Sequence, residues 1–216
     1  MESNEIYATL GRLGVVPVVA IEDAGAALPL ADALIAGGLG IAEITFRTAA
    51  AGQVMETLRA ERPDMLIGAG TILNVDDLRR ARDCGAAFGV SPGFNPKIVA
   101  EAIELGFPFA PGVMTPSDVE AALDMGLTVL KYFPAEAAGG AKLLKSVAAP
   151  YAHLGVRFIP TGGINIDNAP TYLQSPWVLA VGGSWVAKRS DISEGNWDTI
   201  EANARAVVEM VSALSR

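Results

Sequence analysis

One pattern constrains this chain more than any other. A short apolar run, a polar or glycine-containing turn and a stretch with helical spacing recur in that order eight times. The strand-like runs fall at residues 15–21, 40–46, 65–71, 87–91, 107–112, 128–133, 157–161 and 178–182, and the helix-like stretches at 24–36, 51–60, 75–84, 95–105, 116–125, 140–149, 167–174 and 197–213. Strands alternating with helices predict parallel pairing through right-handed crossovers. Eight such units in 216 residues predict an α/β fold closed into one (β/α)8 TIM barrel, with a doubly wound sheet as the alternative. Ile6, Leu10 and Leu13 add a short amphipathic lead-in helix over residues 3–13. No Pro/Gly/Ser-rich linker or charge run divides the chain, so residues 1–216 read as a single domain. Thr115 before Pro116, Asn74 before Asp76 and Asp77, and Asp167 are the expected helix starts.

Composition narrows the classes of function. A hydrophobic content of 51% and a mean hydropathy of +0.35 imply a packed core and an apolar excess that could cover a subunit interface. The formal net charge of −8 argues against a nucleic-acid partner, which calls for a clustered basic face. An anionic ligand must then be held by a local device. Cys84 is the single cysteine, which excludes an intrachain disulfide and a multi-cysteine zinc cluster. The start, Met1 to Glu5, lacks the basic and apolar regions of a signal peptide, and no apolar run reaches the roughly 18 to 20 residues that span a bilayer. The expectation is a cytoplasmic protein without a membrane partner.

The chemistry centres on Lys131, inside Thr128-Val-Leu-Lys-Tyr-Phe-Pro-Ala-Glu136. Alternation puts Val129, Lys131 and Phe133 on one face of that strand, and Leu130 and Tyr132 on the other. Burying an ammonium is costly, so desolvation favours the neutral, nucleophilic amine from which Schiff-base lysines are made. Taken alone, such a residue reads as a strand-end lysine whose head reaches water.

The other strand ends change that reading, because a barrel of this kind carries its active site there. On the second run Glu43, Thr45 and Arg47 share a face, so an acid, a hydroxyl and a guanidinium point inward if Ile44 and Phe46 meet the helices. Residues four apart on a strand are about 13 Å apart, so Glu43 and Arg47 take separate roles. Gly68-Ala-Gly-Thr71, Ser91-Pro-Gly93 and Pro160-Thr-Gly-Gly163 supply small residues that let a ligand approach the backbone. The pairs Gly162-Gly163 and Gly182-Gly183, the latter followed by Ser184, fall after the seventh and eighth runs, where barrels commonly bind phosphate through N–H groups. His153, the only histidine, falls at the opposite end in an expected loop, which disfavours a histidine-ligated zinc site. Glu136 reads as a loop or capping residue.

These segments together resemble the 2-keto-3-deoxy-6-phosphogluconate and 4-hydroxy-2-oxoglutarate aldolases. The resemblance rests on Glu43-Ile-Thr-Phe-Arg47, Gly68-Ala-Gly-Thr71, Ser91-Pro-Gly93, Pro111-Gly-Val113, Lys131-Tyr-Phe-Pro-Ala-Glu136, Pro160-Thr-Gly-Gly163 and Gly182-Gly-Ser184, and spans essentially the whole chain. It implies a (β/α)8 barrel, a homotrimer and a lyase that needs neither metal nor cofactor. Carried over by position, it implies Lys131 as the imine-forming lysine and Glu43 as general acid and base. Arg47 and Thr71 would bind the pyruvyl carboxylate, Phe133 would pack beside the lysine, and Pro92 would join the substrate-binding set. Thr161 would meet the substrate chain, and Gly162, Gly163, Gly182, Gly183 and Ser184 would take the phosphate. Lys188 and Arg189, just beyond, are candidates for a supplementary charge or solvated helix-end residues. Relatives often carry phenylalanine or leucine where Tyr132 stands, on the outer face. The expected substrate is a 2-keto acid phosphate; the galactonate epimer and 4-hydroxy-2-oxoglutarate are the alternatives. A barrel that only binds a sugar phosphate is argued against by Lys131 together with Glu43.

Overall fold

The structure, a computed structural model, describes residues 3–214. Met1 and Glu2, on which the reading of the chain's start partly rests, lie outside the described residues. The first helix, α1 (Ser3–Leu13), buries Ile6 and Leu10. Strand and helix then alternate as β1 (Val15–Val19), α2 (Ala27–Ala36), β2 (Ile41–Thr45), α3 (Ala51–Glu61), β3 (Leu66–Gly70), α4 (Val75–Asp83), β4 (Phe88–Val90) and α5 (Pro96–Glu104). There follow β5 (Phe109–Ala110), β6 (Gly112–Val113), α6 (Pro116–Asp124), β7 (Val129–Tyr132), α7 (Gly140–Ala148), β8 (Arg157–Pro160), α8 (Ala169–Leu173), β9 (Val181–Gly183), α9 (Arg189–Glu194) and α10 (Trp197–Ala213).

All strand pairs are parallel. They form a six-stranded sheet, β5-β4-β3-β2-β1-β9, and a three-stranded sheet, β6-β7-β8. Every residue of β2 and β3 is buried, as expected where parallel strands are covered on both faces. Two isolated parallel bridges, Phe158 with Val178 and Thr161 with Gly182, link β8 to the segment ending in β9. The fold is thus α/β, with parallel strands in two connected arcs.

Several expected boundaries shift for identifiable reasons. The run at 107–112 is split into β5 and β6 by Pro111, which has no N–H to give a ladder, although its carbonyl still accepts from Lys131 N–H at 2.9 Å. The run at 178–182 becomes a bridge at Val178 followed by β9. β2 ends at Thr45, so Phe46 and Arg47 belong to the following turn, and strand alternation does not extend to Arg47. Helix α9 has no counterpart in the sequence reading, because its six residues are too few for a period to show.

The helix starts follow side-chain chemistry. Asn74 accepts from Asp77 N–H at 2.8 Å, and Thr115 forms a reciprocal capping box with Asp118. Asp167 does not cap. The turn before α8 is organised by Asn165, whose side chain accepts from the N–H groups of Asp167 and Asn168. Asn168 in turn accepts from Asn165 N–H and donates to the Gly163 carbonyl at 3.0 Å. His153 is exposed, in a 3-10 turn rather than an open loop. Cys84 is buried, with its thiol 3.4 Å from Glu56.

Candidate active site

The two arcs each contribute one half of a buried ion pair. Glu43 is the third residue of β2, in the larger sheet, and Lys131 the third of β7, in the smaller. Lys131 Nζ donates to Glu43 Oε1 at 3.2 Å. The two residues are 5% and 3% exposed, so each charge offsets much of the other's desolvation. An amine and a carboxylate at this separation stand within proton-transfer range. The Phe133 ring, 5.9 Å from Nζ, packs beside the amine.

Glycines make room for these side chains. A Cβ on Gly70 would overlap the Glu43 carboxylate, and one on Gly68 would overlap the Phe88 ring. The space that the sequence reading assigned to an approaching ligand at Gly68 and Gly70 is therefore filled by the protein itself. Gly182 does the same for the Thr161 side chain and Gly183 for the Trp185 indole.

Beside Phe133 opens a cleft of about 360 Å³. Of the residues singled out in the sequence, Arg47, Phe133, Thr161, Gly162, Gly163, Gly183, Ser184, Lys188 and Arg189 line it. Glu43, Lys131, Thr71, Pro92 and Gly182 do not. Glu43 and Lys131 are buried, Lys131 standing against the Phe133 ring that lines the cleft, and Gly182 lies behind Thr161. Thr71 and Pro92 follow β3 and β4, outside the cleft lining. Thr71 has a φ of 58°, a conformation that costs a β-branched residue on the order of 1–3 kcal/mol and is concentrated at functional sites. Thr45 is tied structurally: its hydroxyl donates to the Val19 carbonyl at 2.9 Å.

The loops that frame the cleft are bonded to each other. Ala135 N–H donates to the Thr161 carbonyl at 2.8 Å and Glu136 N–H to the Gly162 carbonyl at 3.0 Å. Glu136 also accepts from the Tyr172 hydroxyl, and burial, reinforced by that hydrogen bond and by the negative charge, pushes the Tyr172 phenol up. Gly162 and Gly163 turn with φ of 101° and 78°, a region glycine enters freely. Ser184 has no hydrogen-bond partner among the described residues, which leaves its N–H and hydroxyl available to the cleft. Val18, Ala20, Ile164 and Ala187 complete the lining. Sequence reading passed over these four because small apolar residues at strand ends carry no chemical signal.

Comparison with known proteins places this geometry in context. Residues 6–203 match the family described as KDPG and KHG aldolase. A 2-dehydro-3-deoxy-phosphogluconate aldolase of Haemophilus influenzae is 46% identical over 209 residues, covering 97% of this chain and 98% of that protein. A KHG/KDPG aldolase of Escherichia coli is 40% identical over 90% of this chain and 91% of its own length. Among solved structures, a KDPG aldolase from Legionella pneumophila, with pyruvate captured as a covalent carbinolamine, superposes with a TM-score of 0.90 at 38% identity, covering 96% of this chain and 98% of that one. A Zymomonas mobilis 2-keto-3-deoxy-6-phosphogluconate aldolase with 3-phosphoglycerate gives 0.84 at 41% identity, covering 94% of each chain.

Proposed function

Since this chain belongs to the KDPG and KHG aldolase family, we propose that it cleaves 2-keto-3-deoxy-6-phosphogluconate to pyruvate and glyceraldehyde 3-phosphate through a Schiff base on Lys131. The observation that carries this reading is the buried Lys131–Glu43 pair beside a cleft whose charged lining residues, among those described, are all cationic. The Lys131 amine attacks the C2 ketone, and loss of water from the carbinolamine gives the protonated imine. Glu43 takes the C4 hydroxyl proton, directly or through a water, as the C3–C4 bond breaks and its electrons pass into the imine. The aldehyde leaves, Glu43 returns the proton to C3 of the enamine, and hydrolysis releases pyruvate.

Arg47, without an ion pair among the described residues, suits the pyruvyl carboxylate with its bidentate fork; Thr71 and Pro92, which lie outside the cleft lining, would join it only as the family resemblance implies. Thr161 meets the substrate hydroxyls. Gly162, Gly163, Gly183 and Ser184, which line the cleft, frame the phosphate, while Gly182 lies behind Thr161 and gives that side chain room. The chemistry calls for no metal or cofactor. The Escherichia coli relative's double name supports 4-hydroxy-2-oxoglutarate as a second substrate; the galactonate epimer is the remaining alternative.

The same reading covers the whole molecule: a single-domain (β/α)8 barrel that works as a cytoplasmic homotrimer. The two bridges from β8, and the continuity of β5 with β6 across Pro111, support joining the arcs into eight strand positions. No helix among the described residues is long and apolar enough to cross a membrane.

Incubation with pyruvate and borohydride should add one reduced pyruvyl group per chain at Lys131. Lys131→Ala should abolish both labelling and cleavage. Labelling at Lys142 or Lys145 would defeat the assignment. Pyruvate release from each of the three candidate substrates would rank them.

A further inference from the structure

Among the described residues the cleft lining holds three cations, Arg47, Lys188 and Arg189, and no carboxylate, in a chain of net charge −8. The three are not equivalent. Arg189 is engaged by Glu22 in an ion pair, so its charge is compensated locally. Arg47 belongs to the turn after β2, beyond the strand that carries Glu43. Lys188 lies four residues beyond Ser184 on the segment leading from β9 into α9, and its ammonium has no ion pair among the described residues. It is therefore the uncompensated cation on the side of the cleft formed by Gly183, Ser184 and Ala187.

We propose that Lys188 is a specificity-determining residue, whose ammonium pairs with the distal phosphate of the substrate and favours phosphorylated over unphosphorylated 2-keto acids. This rests on the reading of the cleft as an aldolase site. A phosphate dianion gains more from a mobile point charge than a neutral hydroxymethyl group does, and a lysine on a flexible stem can follow the phosphate as substrate enters. Backbone donors can orient the phosphate without supplying net charge. Lys188 supplies it, while Arg189 shares its charge with the exposed Glu22 carboxylate.

The test compares 2-keto-3-deoxy-6-phosphogluconate with 2-keto-3-deoxygluconate, which has the same skeleton without phosphate. Lys188→Gln should raise KM for the phosphorylated substrate by about five- to tenfold more than for the other, as expected for loss of a charge-assisted contact. It should also flatten the dependence of kcat/KM on salt. Lys188→Arg should restore most of the loss, and Arg189→Gln should change the ratio by less than about twofold, since a compensated charge adds little. An unchanged ratio in Lys188→Gln would overturn the proposal, as would a larger effect from Arg189→Gln. Calorimetric titration with glycerol 3-phosphate separates the two levels of inference. If the wild type binds it and Lys188→Gln binds it weakly, but neither cleaves the keto acids, the aldolase reading fails and the anion site stands.

Discussion

Glu43→Gln keeps the side chain's shape and removes its basicity. The borohydride-trappable imine should persist in that variant, while cleavage and exchange of the pyruvate methyl protons fall by about two or more orders of magnitude. Near-normal exchange, measured by proton NMR in deuterated buffer, would move the base elsewhere. The structure adds a test that concerns placement instead of chemistry. Gly70→Ala would drive a methyl group into the Glu43 carboxylate, and a displacement near 1 Å at a reacting group costs about 100-fold in rate. Cleavage by Gly70→Ala should drop on that scale with circular dichroism unchanged; full activity would mean that Glu43 has room to move aside. The candidates Glu43 and Lys131 were legible because charged residues on apolar strands stand out, and alternation gave their direction. Their 3.2 Å contact was not legible, since it joins residues 88 positions apart through a strand order that local pattern does not encode. The roles of Gly68 and Gly70 were misread for a related reason: a glycine's neighbours are set by tertiary packing.

Among the elements, helix starts were readable where one capping side chain meets the first turn, and less readable where two asparagines bond each other's backbone ahead of the helix. Thr115 with Asp118 is the first kind and Asp167 the second. Thr115→Ala should cost about 1 kcal/mol, read as a fall in the urea midpoint at constant slope. Burial alone would raise the Asp118 carboxyl, but the N–H groups of Met114 and Thr115, with the Thr115 side chain, hold it below the ordinary aspartate value. Because the folded value is the lower one, this contribution is complete above the unfolded aspartate range, near pH 4, and is lost as pH falls through the depressed value. Asp118→Asn should therefore lose stability at neutral pH and show a shallower decline in melting temperature toward acid than the wild type. Parallel declines would assign the acid sensitivity to other carboxylates. The fifth strand shows the limit of reading elements from hydropathy: the run at 107–112 is apolar throughout, yet Pro111 divides its hydrogen bonding into β5 and β6.

At the scale of the molecule, the eightfold alternation announced parallel strands with helices around them, but not where the sheet's hydrogen bonding is thin. That depends on single positions, Pro111 on one side and the two bridges from β8 on the other. The Lys131–Glu43 pair spans the same division, with one partner in each arc. It ties the two arcs together at the place where the proposed chemistry would occur. Lys131→Met would leave a buried carboxylate unpaired, a change that destabilises strongly, whereas removing both charges together is far milder. Amide hydrogen exchange should then quicken along β7 and β8 in Lys131→Met, much more than along β2 and β3, and return toward wild type in Lys131→Met/Glu43→Gln. Uniform quickening over both arcs would mean that the shell opens as one piece. If the arcs do open separately and Lys131 forms the proposed imine, the strength of this fastening would follow the charge on its nitrogen, cationic in the protonated imine and neutral in the enamine.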